Sequence, residues 1–272
     1  MNIAVPGGTG TLGRTVVEEL VRRGHDVRVL SRRPPRRPQP GSTHQPVDIA
    51  TGAGLDVALA GIDAVVDAAN TPGSGRKATP LLVDGTRRLL EAEARARVGH
   101  HVAISIVGID TVPLSYYRAK LAQERTVQEG PVPWSIVRAT QFHELLDWIF
   151  TATARGGIVP AMRFPVAPVD PRFVAGVLAS AAEAGPGGRL APVGGPESAP
   201  LGELAREWAR ARERRVLALA LPLPRGMGRA LRGGALVPGD EAITGGPTFG
   251  EWLRAAHAAP ASPPAATAEV AG

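Results

Sequence analysis

The stretch MNIAVPGGTGTLGRTVVEELVRRG, residues 1–24, decides the fold. It reads as an apolar strand at 2–5, a turn carrying Gly7, Gly8, Gly10 and Gly13, and an amphipathic helix stopped by Gly24. A strand that runs through glycines into a helix N-terminus makes a pyrophosphate site. The first-turn N–H groups are free to donate, the helix dipole is positive there, and missing side chains let phosphates approach. The spacing is G-x-x-G-x-x-G rather than the G-x-G-x-x-G of many dehydrogenases. Candidate phosphate contacts are Gly7, Gly8, Thr9, Gly10, Thr11, Leu12 and Gly13, against the alternative of a tight turn that binds nothing.

Strand and helix signals then alternate. Strands are expected at 26–30, 45–49, 63–68, 101–107 and 133–138, and helices at 55–60, 81–98, 115–129 and 145–154. Short connections between repeated β-α units imply an α/β, Rossmann-type, doubly wound parallel sheet. Residues 31–41, SRRPPRRPQPG, form a Pro/Arg loop that can be neither helix nor central strand. Residues 70–77 form a polar, glycine-containing loop at a strand's carboxyl end. Beyond 156 the rhythm loosens. Helices are expected at 172–184, 201–214 and 248–257, a strand at 188–193, and an apolar, proline-broken run at 217–232. The reading is one dinucleotide-binding domain over 1–257. Its core is 1–155, a smaller C-terminal substrate lobe is 156–257, and an Ala/Pro-rich tail at 258–272 is expected to be disordered.

At 272 residues, with 44% hydrophobic and 21% charged side chains, the chain suits an ordinary globular α/β domain. The absence of cysteine excludes disulfides, thiolate metal sites and thiol nucleophiles. No basic, apolar leader opens the chain and no apolar run reaches the roughly 18 residues that span a bilayer, so a cytoplasmic location away from membranes is expected. The net charge of +6 is arginine dispersed among acids, and no nucleic-acid partner is expected. The four tryptophans, Trp134, Trp148, Trp208 and Trp252, read as core or lobe packing. No metal site is expected. His100 and His101 would point to opposite faces of a strand, and His143-Glu144-Leu145-Leu146-Asp147 lacks the second histidine of a zinc helix.

Two clusters carry chemistry. In dinucleotide folds an acid after the second strand binds the ribose 2′-hydroxyl of NAD, and a base accommodates the 2′-phosphate of NADP. Here Ser31, Arg32 and Arg33 stand at that point, with no acid before Asp48. Guanidinium pairs with a phosphate where carboxylate would repel it, which favours NADP(H) over NAD(H). The alternative is a solvated basic loop shared with Arg36 and Arg37. The second cluster is Tyr116, Tyr117 and Lys120 in SYYRAK. Two tyrosines and two lysines in the chain would place a Tyr four before a Lys about 0.015 times by chance. At i and i+4 they share a helix face, where an ammonium lowers a neighbouring phenol's pKa and readies it for proton transfer. A Tyr/Lys pair on a solvated face is the alternative, and Tyr117 reads as packing.

GGTGTLG, SRR after the second strand, VDGTRRLLEAE, AISIVG, YYRAK and PWSIVRATQF, in that order over about residues 1–255, resemble the atypical short-chain dehydrogenase/reductases. The NmrA-like and isoflavone-reductase-like NAD(P)-binding branch is the most similar. The resemblance implies a Rossmann fold, a nicotinamide cofactor and a C-terminal lobe that shapes a pocket for a small-molecule substrate. It implies that Gly7, Gly10 and Gly13 hold the pyrophosphate, Arg32 and Arg33 the 2′-phosphate, and Asp48 the adenine edge. Ala68, Ala69 and Asn70 would line the adenosine side, and Lys120 would reach the ribose. Ser105, Tyr116 and Lys120 take the catalytic places, and Thr140, Gln141 and Phe142 lead toward nicotinamide and substrate. Ser105 precedes Tyr116 by only eleven residues, a shorter interval than the family's serine keeps, so a plain strand-end hydroxyl is its alternative role. The implied activity is NADP(H)-dependent oxidoreduction of a small carbonyl, alcohol or enone. A non-catalytic cofactor sensor and an epimerase or dehydratase are the other activities found in such proteins.

Overall fold

A computed structural model describes residues 1–35, 37–71, 78–220 and 222–258, the side chains of 257 and 258 excepted. Arg36, most of the 70–77 loop including Lys77, and the expected tail after residue 258 lie outside the described residues. The chain opens with β1 (Asn2–Pro6), α1 (Thr11–Arg22), β2 (Asp26–Ser31), β3 (Ser42–Pro46), α2 (Leu55–Leu59) and β4 (Ala64–Asp67). A π-helical stretch, Pro80–Gly85, runs directly into α3 (Thr86–Ala96). Then come β5 (His100–Ile106), α4 (Ser115–Gln128), β6 (Trp134–Ala139), α5 (His143–Ala154), β7 (Ile158–Pro160), β8 (Pro165–Val166) and α6 (Pro171–Ala184). The remainder is β9 (Gly188–Arg189), β10 (Val193–Gly194), β11 (Ala199–Pro200), α7 (Leu201–Ala211), β12 (Leu217–Leu219), α8 (Arg225–Arg232), β13 (Ile243–Thr244) and α9 (Phe249–Ala258).

The main sheet has nine strands, ordered β13-β10-β6-β5-β4-β1-β2-β3 with β9 beside β6, and every pairing in it is parallel. The order reverses between β1 and β4, where open α/β sheets bind ligands outside the carboxyl ends of their strands. β1 and β4 are buried throughout apart from Asn2, as strands covered on both faces require. On one face Val16, Val17 and Leu20 of α1 meet Val174, Ala175 and Leu178 of α6. Each fully buried leucine there contributes about 1.5–3 kcal/mol. On the other face α2 and α3 bury Leu55, Leu59, Leu89 and Ala92. After β6 the chain builds a second apolar cluster around Phe150, Phe164, Trp208, Leu231, Phe249 and Leu253, with the small sheets β7–β12 and β8–β11 at its border. Among the described residues no helix is long and apolar enough to cross a membrane.

Several sequence expectations shift. The third strand is Ser42–Pro46 rather than 45–49, because an edge strand needs little apolar content and Asp48 turns the chain by accepting the Ala50 N–H. The helix expected at 81–98 is split into π and α turns. It ends at Ala96 on Arg97, whose φ of 61° takes the left-handed role expected of Gly99. The expected strand at 188–193 is two short ones. Trp148 is a correction: at 56% exposure it packs no core, whereas Trp208 is buried.

Candidate dinucleotide and catalytic site

The glycine turn is built by close approaches that exclude side chains. Gly7 has φ +71°, and a Cβ on it would lie 2.7 Å from the backbone of Ala68 and Ala69. A Cβ on Gly13 would lie 2.1 Å from the Gly7 carbonyl oxygen, so α1 presses directly on the turn. Gly7 donates to Leu30, Gly8 to Val5 and Gly10 to Gly7, which knits the turn to β1 and β2. Gly10 caps α1 without a side-chain bond, and Thr9, Gly10 and Thr11 are exposed while Leu12 and Gly13 are buried. Backbone donors facing solvent beside a cradle that a Cβ would fill fit the pyrophosphate of a dinucleotide.

At the end of β2 the Ser31 hydroxyl donates to the Arg33 carbonyl at 2.7 Å and meets the His44 ring at 3.0 Å. Arg32 and Arg33 are exposed. Asp48 is half-buried, and one carboxylate oxygen accepts the Ala50 N–H. Ala68 donates its N–H to Pro6, and Ala69 donates its own to Asp67 Oδ1 at 2.9 Å. The loop after β4 is thereby fixed against the glycine turn. Asn70 follows, and its Oδ1 accepts the Tyr116 hydroxyl at 2.7 Å and the Thr71 N–H at 2.9 Å. One hydrogen bond thus joins the loop after β4 to the tyrosine of α4.

Lys120 is not where simple i,i+4 reasoning puts it. It is 4% exposed, and its Nζ donates to the Ile104 carbonyl at 2.7 Å and to Gln123 Oε1 at 2.6 Å. Burial pushes it down to about 8, opposed by the charges of Asp67 and Glu124. The expected lowering of the Tyr116 phenol by this ammonium is therefore corrected. Burial raises that phenol, and only the Asn70 bond opposes the rise. Ser105 is 2% exposed, lies next to the carbonyl that Lys120 holds, and its Oγ makes no hydrogen bond among the described residues. Tyr117 is buried, its hydroxyl facing the Gln141 amide and pushed up to about 12 by burial. Thr140 and Gln141 are buried; the Thr140 hydroxyl is committed to the Ala167 carbonyl, while Phe142 is half-buried at the start of α5.

Sequence reasoning missed two features. Asp67, Glu93, His101 and Gln123 form a buried polar group behind Lys120; Asp67 closing an apolar strand and His101 opening one are its sequence signal, whereas Glu93 and Gln123 sit unmarked in helices. Glu144, at the start of α5, is half-buried with Oε2 unbonded among the described residues. Burial chiefly pushes its carboxyl up to about 7; a bond from its own N–H opposes this, and Asp170 adds to it. The folded protein thus holds this proton more tightly than the unfolded chain, so ionisation lowers stability as pH climbs from 4.5 through about 7. Glu144→Gln is expected to leave stability unchanged near pH 4 and raise it by about 1–2 kcal/mol near pH 8, after discounting for partial exposure. Melting curves at both values test this, and a pH-independent difference would refute the buried-carboxyl account.

A family model described as NAD(P)H-binding matches residues 7–156, from the first turn glycine past α5. The chain is 28% identical over 224 residues to the chloroplastic divinyl chlorophyllide a 8-vinyl-reductase of Oryza sativa subsp. indica, which covers 72% of this chain and 55% of the relative. It is 28% identical over 151 residues to the photosystem II assembly factor Ycf39 of Trieres chinensis, covering 53% of this chain and 47% of that one. The chain therefore spans about half the length of these curated relatives. Among solved structures, the NADPH-dependent quinone oxidoreductase of Escherichia coli in complex with NADPH matches with a TM-score of 0.74 at 20% identity, covering 94% of this chain and 99% of that one. That likeness shows a shared fold. With the family match spanning the glycine turn, the β4 loop and the Tyr116–Lys120 helix, the chain belongs to the NAD(P)H-binding family.

Proposed function

We propose that this protein is an NADP(H)-dependent oxidoreductase acting on a small organic carbonyl, alcohol or enone. The observation that carries the reading is the Tyr116–Asn70 hydrogen bond, which seats the YYRAK helix against the loop that packs on the glycine turn. A bound nicotinamide supplies or accepts the hydride. Gly7, Gly8, Thr9, Gly10, Thr11, Leu12 and Gly13 hold the pyrophosphate, with the N-terminal donors of α1 facing it. Ser31, Arg32 and Arg33 take the 2′-phosphate, as exposed guanidinium groups beside the end of β2 suit a dianion. Asp48, Ala68, Ala69 and Asn70 line the adenosine side. The third Nζ donor of Lys120, beyond the two held by Ile104 and Gln123, is left for a ribose hydroxyl.

Tyr116 delivers or removes the proton at the substrate oxygen through its hydroxyl, which must first leave Asn70. Ser105, whose hydroxyl is unbonded among the described residues, offers it to the same oxygen. Gln141 and Phe142 bound the substrate side, with Thr140 bracing them through Ala167, and the residues after 156 close the pocket. The names of the relatives, a vinyl-reductase and a quinone oxidoreductase solved with NADPH, support a reductive role and a phosphorylated cofactor. One observation favours a second reading, a cofactor sensor without turnover: Lys120 is turned onto Ile104 and Gln123 while burial raises the Tyr116 phenol.

The test is NADPH and NADH oxidation with a panel of quinones, aldehydes and enones. Tyr116→Phe is expected to lower kcat about 100-fold with NADPH affinity retained. Arg32→Glu with Arg33→Glu is expected to weaken NADPH about 100-fold while sparing NADH. Tight NADPH binding with no turnover of any acceptor would replace the oxidoreductase with the sensor.

A further inference from the structure

Behind the candidate site lies a cluster of buried polar side chains. Lys120, Gln123, Asp67, His101, Glu93 and Thr86 are all at least nine-tenths buried, yet they come from α4, β4, β5 and α3. Lys120 Nζ can only donate, so the Gln123 amide must turn its oxygen toward it, and the bond is 2.6 Å. The amide nitrogen is then forced the other way, onto Thr86 Oγ1 at 3.1 Å and toward Asp67 Oδ2 at 3.5 Å. The second oxygen of Asp67 accepts the Ala69 N–H, which fixes the loop carrying Asn70. Beyond Asp67, Glu93 holds His101 Nδ1 with both oxygens, at 2.9 and 3.0 Å. The fully charged array carries two negative and two positive groups, a balance that a buried lysine beside neutral walls would lack.

We infer that Asp67 and Gln123 are positioning residues for Lys120: with His101 and Glu93 they form a buried relay that fixes its ammonium and holds its charge against burial. The inference deepens the oxidoreductase reading and rests on it for the use made of Lys120. The relay itself stands on the geometry. The groups facing Lys120 are Asp67 from β4, Glu124 from its own helix (itself bound by Arg138 and Arg189), and Gln123. His101 stands on β5, beside β4 and on the same sheet face as Asp67, so its charge acts on Asp67, and Glu93 acts through His101, which it binds. Gln123 also sets direction, because an amide that accepts on one side and donates on the other ties the lysine to the carboxylate without letting them collapse into a direct pair.

The chain holds two lysines, Lys77 and Lys120, so lysine labelled with 13C at Cε gives two resonances, and Lys77→Arg leaves Lys120 alone. In the full-length protein Lys120 is expected to titrate near 8. Asp67→Asn is expected to weaken its proton affinity about tenfold, and Gln123→Glu, which puts a carboxylate in contact, to strengthen it about tenfold. Should Asp67→Asn fail to fold, Gln123→Glu decides alone. A Lys120 midpoint that Gln123→Glu leaves in place overturns the relay, whatever the activity. Midpoints that move as expected while no acceptor is turned over keep the relay and remove the oxidoreductase. Where both hold, the pH profile of kcat moves with the Lys120 midpoint, a shift that a purely structural role would not produce.

Discussion

Gly13→Ala is expected to abolish dinucleotide binding, with affinity down at least about 100-fold and the fold weakened by about 3 kcal/mol. The added methyl would stand 2.1 Å from the Gly7 carbonyl oxygen and 2.7 Å from Gly8 Cα, all backbone. No flexible side chain can give way, so α1 must slide off the turn. That helix is locked in turn by α6, through Val16, Val17 and Leu20 and through Arg23, which bonds Ser180, Glu183 and the Gly176 carbonyl. Gly10→Ala is the matched control. Its backbone is ordinary, with φ −78°, and its Cβ would meet only the Gly7 oxygen at 3.2 Å. It should keep the fold within about 1 kcal/mol and lose affinity alone, because the methyl stands at the helix N-terminus proposed to receive the pyrophosphate. Nucleotide fluorescence titrations and melting curves on both variants separate the effects. Equal affinity losses with no loss of stability in Gly13→Ala would mean that the turn is looser than its contacts imply.

The same contact explains why the fold was legible at once. Gly7, Gly10 and Gly13 are a sequence record of backbone touching backbone, and the alternation of apolar strands and amphipathic helices records burial on two faces. The parallel sheet with its reversal between β1 and β4 follows from those local signals and the right-handed connection rule. Arg32, Arg33, Tyr116 and Lys120 were equally readable as residue types, since their spacing is local. What local spacing cannot carry is a partner from another element. Tyr116 and Lys120 share a helix face, yet the tyrosine bonds Asn70, 46 positions away, and the lysine bonds Ile104, 16 away, as well as Gln123. The direction of the phenol's shift was lost for that reason. A pairwise rule put the ammonium beside it, and the fold put the ammonium among Asp67, Glu124 and an amide. Trp148 failed in the opposite sense, since size and apolarity say nothing about which side of α5 a lobe covers.

Glu93→Leu is expected to cost about 3–5 kcal/mol, the usual result of removing one half of a fully buried pair. Both partners have no exposed side-chain surface, and His101 Nε2 makes no hydrogen bond among the described residues, so the substitution strips the ring of its Nδ1 partner. The double variant Glu93→Leu with His101→Phe should recover most of that loss, because apolar groups of similar volume need no partner. Recovery should stay incomplete, since Asp67 then loses the positive charge that opposes its own desolvation. The pair also carries a pH signature. Burial raises the Glu93 carboxyl above 4.5, and for His101 burial works against protonation but is outweighed by the charge and hydrogen bond of Glu93, leaving the imidazole above 6.5. The two sites titrate as a unit, and both shifts make the folded protein bind protons more tightly than the unfolded chain. Their contribution is thus fullest in acid and lost as pH rises through the folded values. The stability of the wild type relative to the double variant should fall as pH rises above 4.5 and on past 6.5. Denaturant unfolding of the wild type and the single and double variants across that range tests both claims. A double variant no more stable than Glu93→Leu, or a pH-independent difference from the wild type, would remove the buried pair from the account of this core.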